Sequence, residues 1–429
     1  MTDGDRLASV LRESRRNAVP FWVLVCVLVG LASYHVLAGD VRTAVLAACL
    51  VGVAVVPPAA FRDPTVTLPW DLLAVACVPI LWDVVVGVPF ATDVVPYVAV
   101  AVVALLVVVE LHAFTSVRMN QTFAIVLVTL TTMAAAAMYN VALWLADVLL
   151  GTSFLLDGRH PDVINAVVMI EFAYATVAGV LAGVAFTLFF RNRIPPGSDR
   201  PAVASQSTFE ERADTDGETL AERLHLSVQT QRRLVRGMQG LLVVVFTYGV
   251  VTLHLPTIAN AGVALVVTFV PAALERDLEL PMDAGLVLWI TTAVFLHALG
   301  SAGLYDAVDP WDNVTHVLSA SVVAAAGYAF FRAVELHTDD VYIPPAFMVV
   351  LILVFVLAAG VVWELLEFAI DQFAIYADLP AVLAQYGIHD TIVDLLFNLV
   401  GAIVVAIWGT VYLTDVSESL SDRLEEWSA

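Results

Sequence analysis

The chain has no lysine. All 19 of its basic residues are arginine, set against 41 acidic ones, and the formal net charge over 429 residues is -22. Phosphate recognition needs a basic surface, so this balance excludes nucleic acid as a partner. Cysteine is scarce as well. Cys26, Cys49 and Cys77 lie far apart, each within an apolar run, which offers neither a disulfide framework nor a thiolate metal site. Buried small hydrophobes are their expected role. Also missing are a P-loop, a dinucleotide fingerprint, a Gly-x-Ser-x-Gly elbow and a His-Glu-x-x-His helix. No cleavable leader is evident, and the apolar run after Arg12, Arg15 and Arg16 reads as a first span.

What the chain has is hydrophobicity: 60% of its residues are apolar and only 14% charged. That composition predicts an all-α polytopic integral membrane protein whose first partner is the lipid bilayer. Acidic residues dominate outside the spans, while Ala and Val abound within them. This is the pattern of a salt-loving archaeon, whose surface carboxylates hold a hydration layer at high salt.

A span needs about 20 apolar residues. Twelve are predicted, near 20–38, 41–58, 69–90, 94–115, 121–150 and 163–190, then near 239–256, 259–275, 282–300, 313–335, 344–372 and 389–413. The second and eighth are short and bounded by proline. Arginines at 6–16, 62, 118, 191–236, 276, 332 and 423 fall on one side of this arrangement, with only Arg42 and Arg159 on the other. The positive-inside rule then makes both termini cytoplasmic in a multi-pass cell-membrane protein.

The expected organisation is an N-terminal six-helix membrane half (1–190), a cytoplasmic linker with an amphipathic helix (191–237), a C-terminal six-helix half (238–414) and an acidic cytoplasmic tail (415–429). The halves look duplicated. Val56-Pro-Pro-Ala-Ala-Phe-Arg-Asp63 followed by Leu68-Pro-Trp-Asp71 is echoed by Val270-Pro-Ala-Ala-Leu-Glu-Arg-Asp277 followed by Leu280-Pro-Met-Asp283. At a constant offset from Phe123 and Phe347, Asn140 stands where Glu364 is, Leu143 where Glu367 is, and Asp147 where Asp371 is. A repeat of six helices keeps its orientation, so the duplication would be parallel. The first half would keep the scaffold and lose most of the polar positions.

Those positions are the chemical content of the chain. Asp312 and His316 open the tenth span, Glu364, Glu367 and Asp371 close the eleventh, and Asp390, Asp394 and Asn398 open the twelfth ahead of Gly401. Helix directions place all of them toward the outer leaflet. At 1.5 Å per residue, Glu364 and Asn398 would lie about 12 Å deep and His316 and Asp394 about 6 Å deep. Spacings of three and four residues give each helix one polar stripe. Six carboxylates with no basic side chain nearby cannot all stay ionised in a low-dielectric site, so either a cation sits among them or some carry protons. An oxygen-rich cluster with one imidazole suits Mg²⁺, Ca²⁺ or Mn²⁺ ahead of Zn²⁺ or Fe²⁺.

Plainer roles are available for some of these residues. Asp312 and Asp390 could be helix N-caps, and Asn398 and Gly401 close-packing devices. The anions at the C-terminal end of the eleventh span oppose the helix dipole, so capping does not account for them. The expected ligand set is Asp312, His316, Glu364, Glu367, Asp390 and Asp394. Glu364, Glu367 and His316 are the candidate catalytic groups, with Asp371, Asn398 and Gly401 in support.

Residues 240–413 resemble the YjdF-type family of six-helix inner-membrane proteins. Asp312 and His316 match its Asp-x-x-x-His helix start, Glu364 and Glu367 its Glu-x-x-Glu helix, and Asp390 and Asp394 its Asp-x-x-x-Asp helix leading to Gly401. A looser resemblance is to VanZ-like proteins. Asn313 stands where the family commonly has Lys, which leaves this cluster more negative. The resemblance implies a membrane protein with a shared polar site and no settled activity. Three functional readings follow: metal- or proton-assisted chemistry or binding at lipid or envelope headgroups, an ion-coupled transporter, or a structural subunit.

Overall fold

The computed structural model describes residues 15–85, 89–191, 226–308, 310–338, 340–380, 385 and 387–408, to which everything structural below refers. Their regular structure is helical, apart from one isolated antiparallel bridge between Arg118 and Tyr342. The helices are α1 (Arg15–Ala38), α2 (Val41–Phe61), α3 (Trp70–Val85), α4 (Pro89–Phe114), α5 (Gln121–Leu150), α6 (Pro161–Arg191), α7 (Val228–Thr252), α8 (Leu255–Val267), α9 (Val270–Leu278), α10 (Ala284–Leu299), α11 (Trp311–His337), α12 (Pro345–Tyr376) and α13 (Ile388–Trp408).

Eleven segments are long and apolar enough to cross a membrane, with α8 and α9 together forming one of them, and a shorter apolar helix lies at Trp70–Trp82. The all-α polytopic class read from the sequence is thus the class observed. Apolarity on nearly all faces is the physical signature of a lipid-facing helix. In α7 only 17% of the most apolar window is buried within the protein, so most of its Val and Leu side chains, Val235 and Leu242 excepted, are left for hydrocarbon. Backbone polarity in such a solvent must be satisfied inside each segment, which only helices manage here.

Local sequence explains the ends. Asp40 caps α2 by accepting from the Thr43 amide at 3.1 Å, and Asp283 caps α10 through the Gly285 and Leu286 amides at 2.6 and 3.0 Å. The arginines at 232, 233 and 236 lie in the first turns of α7, continuous with its span. In membrane helices the close approaches are made by small residues.

By contact the chain divides into two compact units: residues 1–139, 170–203 and 340–344, and residues 140–169, 204–339 and 345–429. In the first, Asn17 ties α1 to the start of α3, donating to Thr67 and the Leu68 carbonyl and accepting from the Trp70 amide. Gly179 and Gly183 let α6 approach α5, where a Cβ would meet Thr132 and Ile125. In the second, Leu242, Ala264, Phe295 and Ala298 form an apolar core between α7, α8 and α10. There α13 packs against α11 through Gly401, where a Cβ would come within 2.3 Å of the Val317 carbonyl.

Candidate functional site

Every polar residue singled out in the last three spans lies in the second unit. Gly401 sets the closeness of α11 and α13, and that closeness brings one face of each helix into register. His316, on α11, has its Nε2 3.6 Å from Asp312 Oδ1 on its own helix and 3.4 Å from Asp394 Oδ1 on α13. One ligand atom from each of the three lies within 4.8 Å of the others. The other ring nitrogen, Nδ1, is 3.3 Å from Asn398 Oδ1.

The amide oxygen of Asn398 faces one ring nitrogen. A side-chain carbonyl can only accept, so Nδ1 carries the hydrogen that it faces and, in the neutral ring, Nε2 presents a lone pair. That lone pair converges with two carboxylate oxygens. Asp394 Oδ1 is buried and has no hydrogen-bond partner, whereas Asp312 is about a third exposed. With the ring neutral, three acceptors meet in one place, and a cation between them would balance them. A cation about 2.0–2.5 Å from each ligand sets neighbouring ligand atoms roughly 3.0–3.6 Å apart, the spacing found on either side of Nε2.

Glu364 lies apart from this trio, fully buried on α12. Its Oε2 is 2.9 Å from Gln385 Nε2 and 3.1 Å from Thr391 Oγ1, and its Oε1 has no hydrogen-bond partner. Gln385 also donates to the Glu364 carbonyl at 3.0 Å and is met by Asn165 Nδ2 of α6 at 2.8 Å. Glu367 is paired with the Trp363 side chain. Asp371 is partly exposed near the end of α12, within electrostatic reach of Asp162. His389 is exposed, its ring 5.2 Å from that of Trp144. Of the six expected ligands, Asp312, His316 and Asp394 form the metal-like group of the structure.

Four neutral residues around the site had no signal in the helical stripes: Gln385 and Thr391, which bond Glu364, Asn165, which bonds both of them, and Tyr305. Tyr305 follows a π-helical turn, Gly300–Leu304, in which Gly303 takes φ 126°. The turn lays the Tyr305 ring over Gly300, where a Cβ would be 2.3 Å from it. Its hydroxyl is thereby placed 2.6 Å from His297 Nδ1 and 3.5 Å from Thr315 Oγ1. The non-helical Gly303 makes this a kink that interrupts the helix and re-aims Tyr305.

Residues 234–415 match a family model described as Predicted membrane protein (DUF2238), and residues 5–67 match one described as Domain of unknown function (DUF8268). The first match covers the whole cluster and supports a membrane protein family for this region. No curated protein and no solved structure matches the chain.

Proposed function

We propose that the second unit binds a divalent cation through Asp312, His316 and Asp394, and uses it to engage an anionic lipid or envelope headgroup. The observation that carries this is the convergence of three acceptor atoms around His316 Nε2 while Nδ1 is turned to Asn398. A neutral imidazole and two carboxylates total two negative charges, which a divalent ion cancels. Asn398 then acts as the outer partner that orients a ligating histidine. Asp394 is buried and Asp312 is not, so the open coordination positions face Asp312 and the membrane surface. A headgroup phosphate or carboxylate reaches the ion from that side.

The wider reading extends what the sequence implied. Arginine placement supports cytoplasmic termini in the cell membrane and a site at the outer leaflet. Glu364 and Glu367 serve as acid or base groups beside the ion rather than as its ligands, with Asp390 and Asp371 at the rim. The YjdF-type and VanZ-like resemblances are compatible with this role, as is descent from a duplicated six-helix half. Transport would need the polar path to continue, yet α12 from Pro345 to Val362 carries no charged residue.

A folded-state ligand raises stability by mass action, about 2.7 kcal/mol at a hundred times its dissociation constant. The thermal midpoint of the detergent-solubilised protein should therefore rise with Mg²⁺, Mn²⁺ or Ca²⁺ and fall back with chelator. His316→Ala should abolish that response. An unchanged cation response in His316→Ala would refute the assignment.

A further inference from the structure

We infer that Glu364 is held in the folded protein as a carboxylic acid, donating its proton to Thr391 at the end of a one-way hydrogen-bond chain. The chain is anchored by a group whose role cannot change. The main-chain carbonyl of Glu364 only accepts, so the Gln385 nitrogen 3.0 Å away must be its NH₂ group. The Gln385 oxygen then faces Asn165, and the group meeting it at 2.8 Å must be the Asn165 NH₂. Asn165 Oδ1 is thereby turned to Thr391 Oγ1 at 3.0 Å and needs a donor there.

Thr391 has one hydroxyl hydrogen. Given to Asn165, it leaves only a lone pair for Glu364 Oε2, 3.1 Å away on the other side. Two oxygens at that distance with no hydrogen between them repel, so the missing hydrogen belongs to Glu364. Oε2 then does what a carboxylic O–H can do and a carboxylate oxygen cannot: it accepts from Gln385 at 2.9 Å and donates to Thr391. Reversing Gln385 sets its oxygen against the Glu364 carbonyl, and reversing Asn165 sets its oxygen against that of Gln385; neither pair has a hydrogen to share.

Two further observations agree. Glu364 Oε1 is buried without a hydrogen-bond partner, a cost that a neutral carbonyl bears far better than half of a carboxylate. Glu364, Thr391 and Asn165 are all buried, in a region where an uncompensated anion is strongly disfavoured. The protonated state follows from hydrogen counting in the network and stands whether or not the His316 group holds a metal. For any chemistry at this end of the bundle, Glu364 is a group with a proton to give. Asn165, Gln385 and Thr391 are positioning residues that keep it loaded.

Infrared spectroscopy of the chelated, detergent-solubilised full chain at neutral pH tests this without reference to any cation. The expected result is a protonated-carboxyl C=O band that is lost in Glu364→Gln. In Thr391→Val the band should remain but move, because valine matches the threonine shape and cannot accept the hydrogen bond. Exchange into D₂O should shift the same band. If Glu364→Gln does not fold, the Thr391→Val shift decides alone. A wild-type spectrum lacking this band, or Thr391→Val leaving it in place, would overturn the inference. Metal content measured on the same samples reports separately on the cation site.

Discussion

Asp147 and Asp394 are two buried carboxylates of the same unit, exposed by only 7% and 3%, and their surroundings are opposite. Asp147, at the end of α5, accepts from the Thr152 hydroxyl at 2.6 Å and from the amides of Phe154, Leu155 and Leu156 at 2.7 Å each. Its charge is spread over four donors and ties down the loop that leads to α6. Asp394 has one oxygen without any donor and faces a second carboxylate across an imidazole. One carboxylate is saturated and explains a loop. The other is unsatisfied and makes sense as half of something, because buried charge without compensation is not kept for stability.

The contrast predicts that similar substitutions have opposite consequences. Asp147→Ala, the largest effect, strands one hydroxyl and three amides and should cost about 3 kcal/mol or more. That loss would be read as a lowered denaturation midpoint with cation binding per folded chain unchanged. Asp394→Asn in chelated protein should be within about 1 kcal/mol of wild type or more stable, since it removes a repulsive charge. Equal destabilisation of both would erase the distinction between the two sites.

Gly401→Ala probes the packing that assembles the trio. Its Cβ would enter the space of the Val317 carbonyl, so a loss of about 1–3 kcal/mol is expected, together with weaker cation binding. Asn398→Ala should leave the fold nearly intact and weaken cation affinity by about 10–100-fold, the usual effect of removing a histidine's outer partner; calorimetric titration reads this directly. Asp371→Asn should be the smallest change, within about 0.5 kcal/mol, since the residue is partly exposed at a helix end.

The sequence carried the periodic part of this picture. Runs of about 20 apolar residues mark a span wherever backbone polarity must be satisfied internally, so the expected spans coincide with helices. The expected spans at 239–256 and 259–275 differ most from the helices: the first belongs to a helix that already begins at Val228, and the second is divided between α8 and α9. Spacings of four placed Asp312 with His316 and Asp394 with Asn398 on single helix faces, and the structure joins those two stripes. Spacing along a helix could not say which acids meet across helices. Glu364 and Asp394 are equally plausible by stripe, yet only Asp394 faces His316. Asn165 and Gln385 are neutral residues far apart in sequence, and nothing in a periodic pattern links them to Glu364. The His297–Tyr305 pair depends on a π-helical turn and one positive φ at Gly303, which break helical periodicity rather than follow it.

The most direct test of the central claim is elemental analysis of the purified protein after dialysis, wild type beside Asp394→Asn and Asp147→Asn. The account predicts a stoichiometric divalent metal in wild type and in the folded fraction of Asp147→Asn, and its loss in Asp394→Asn. Metal absent from wild type, or retained undiminished in Asp394→Asn, would contradict it.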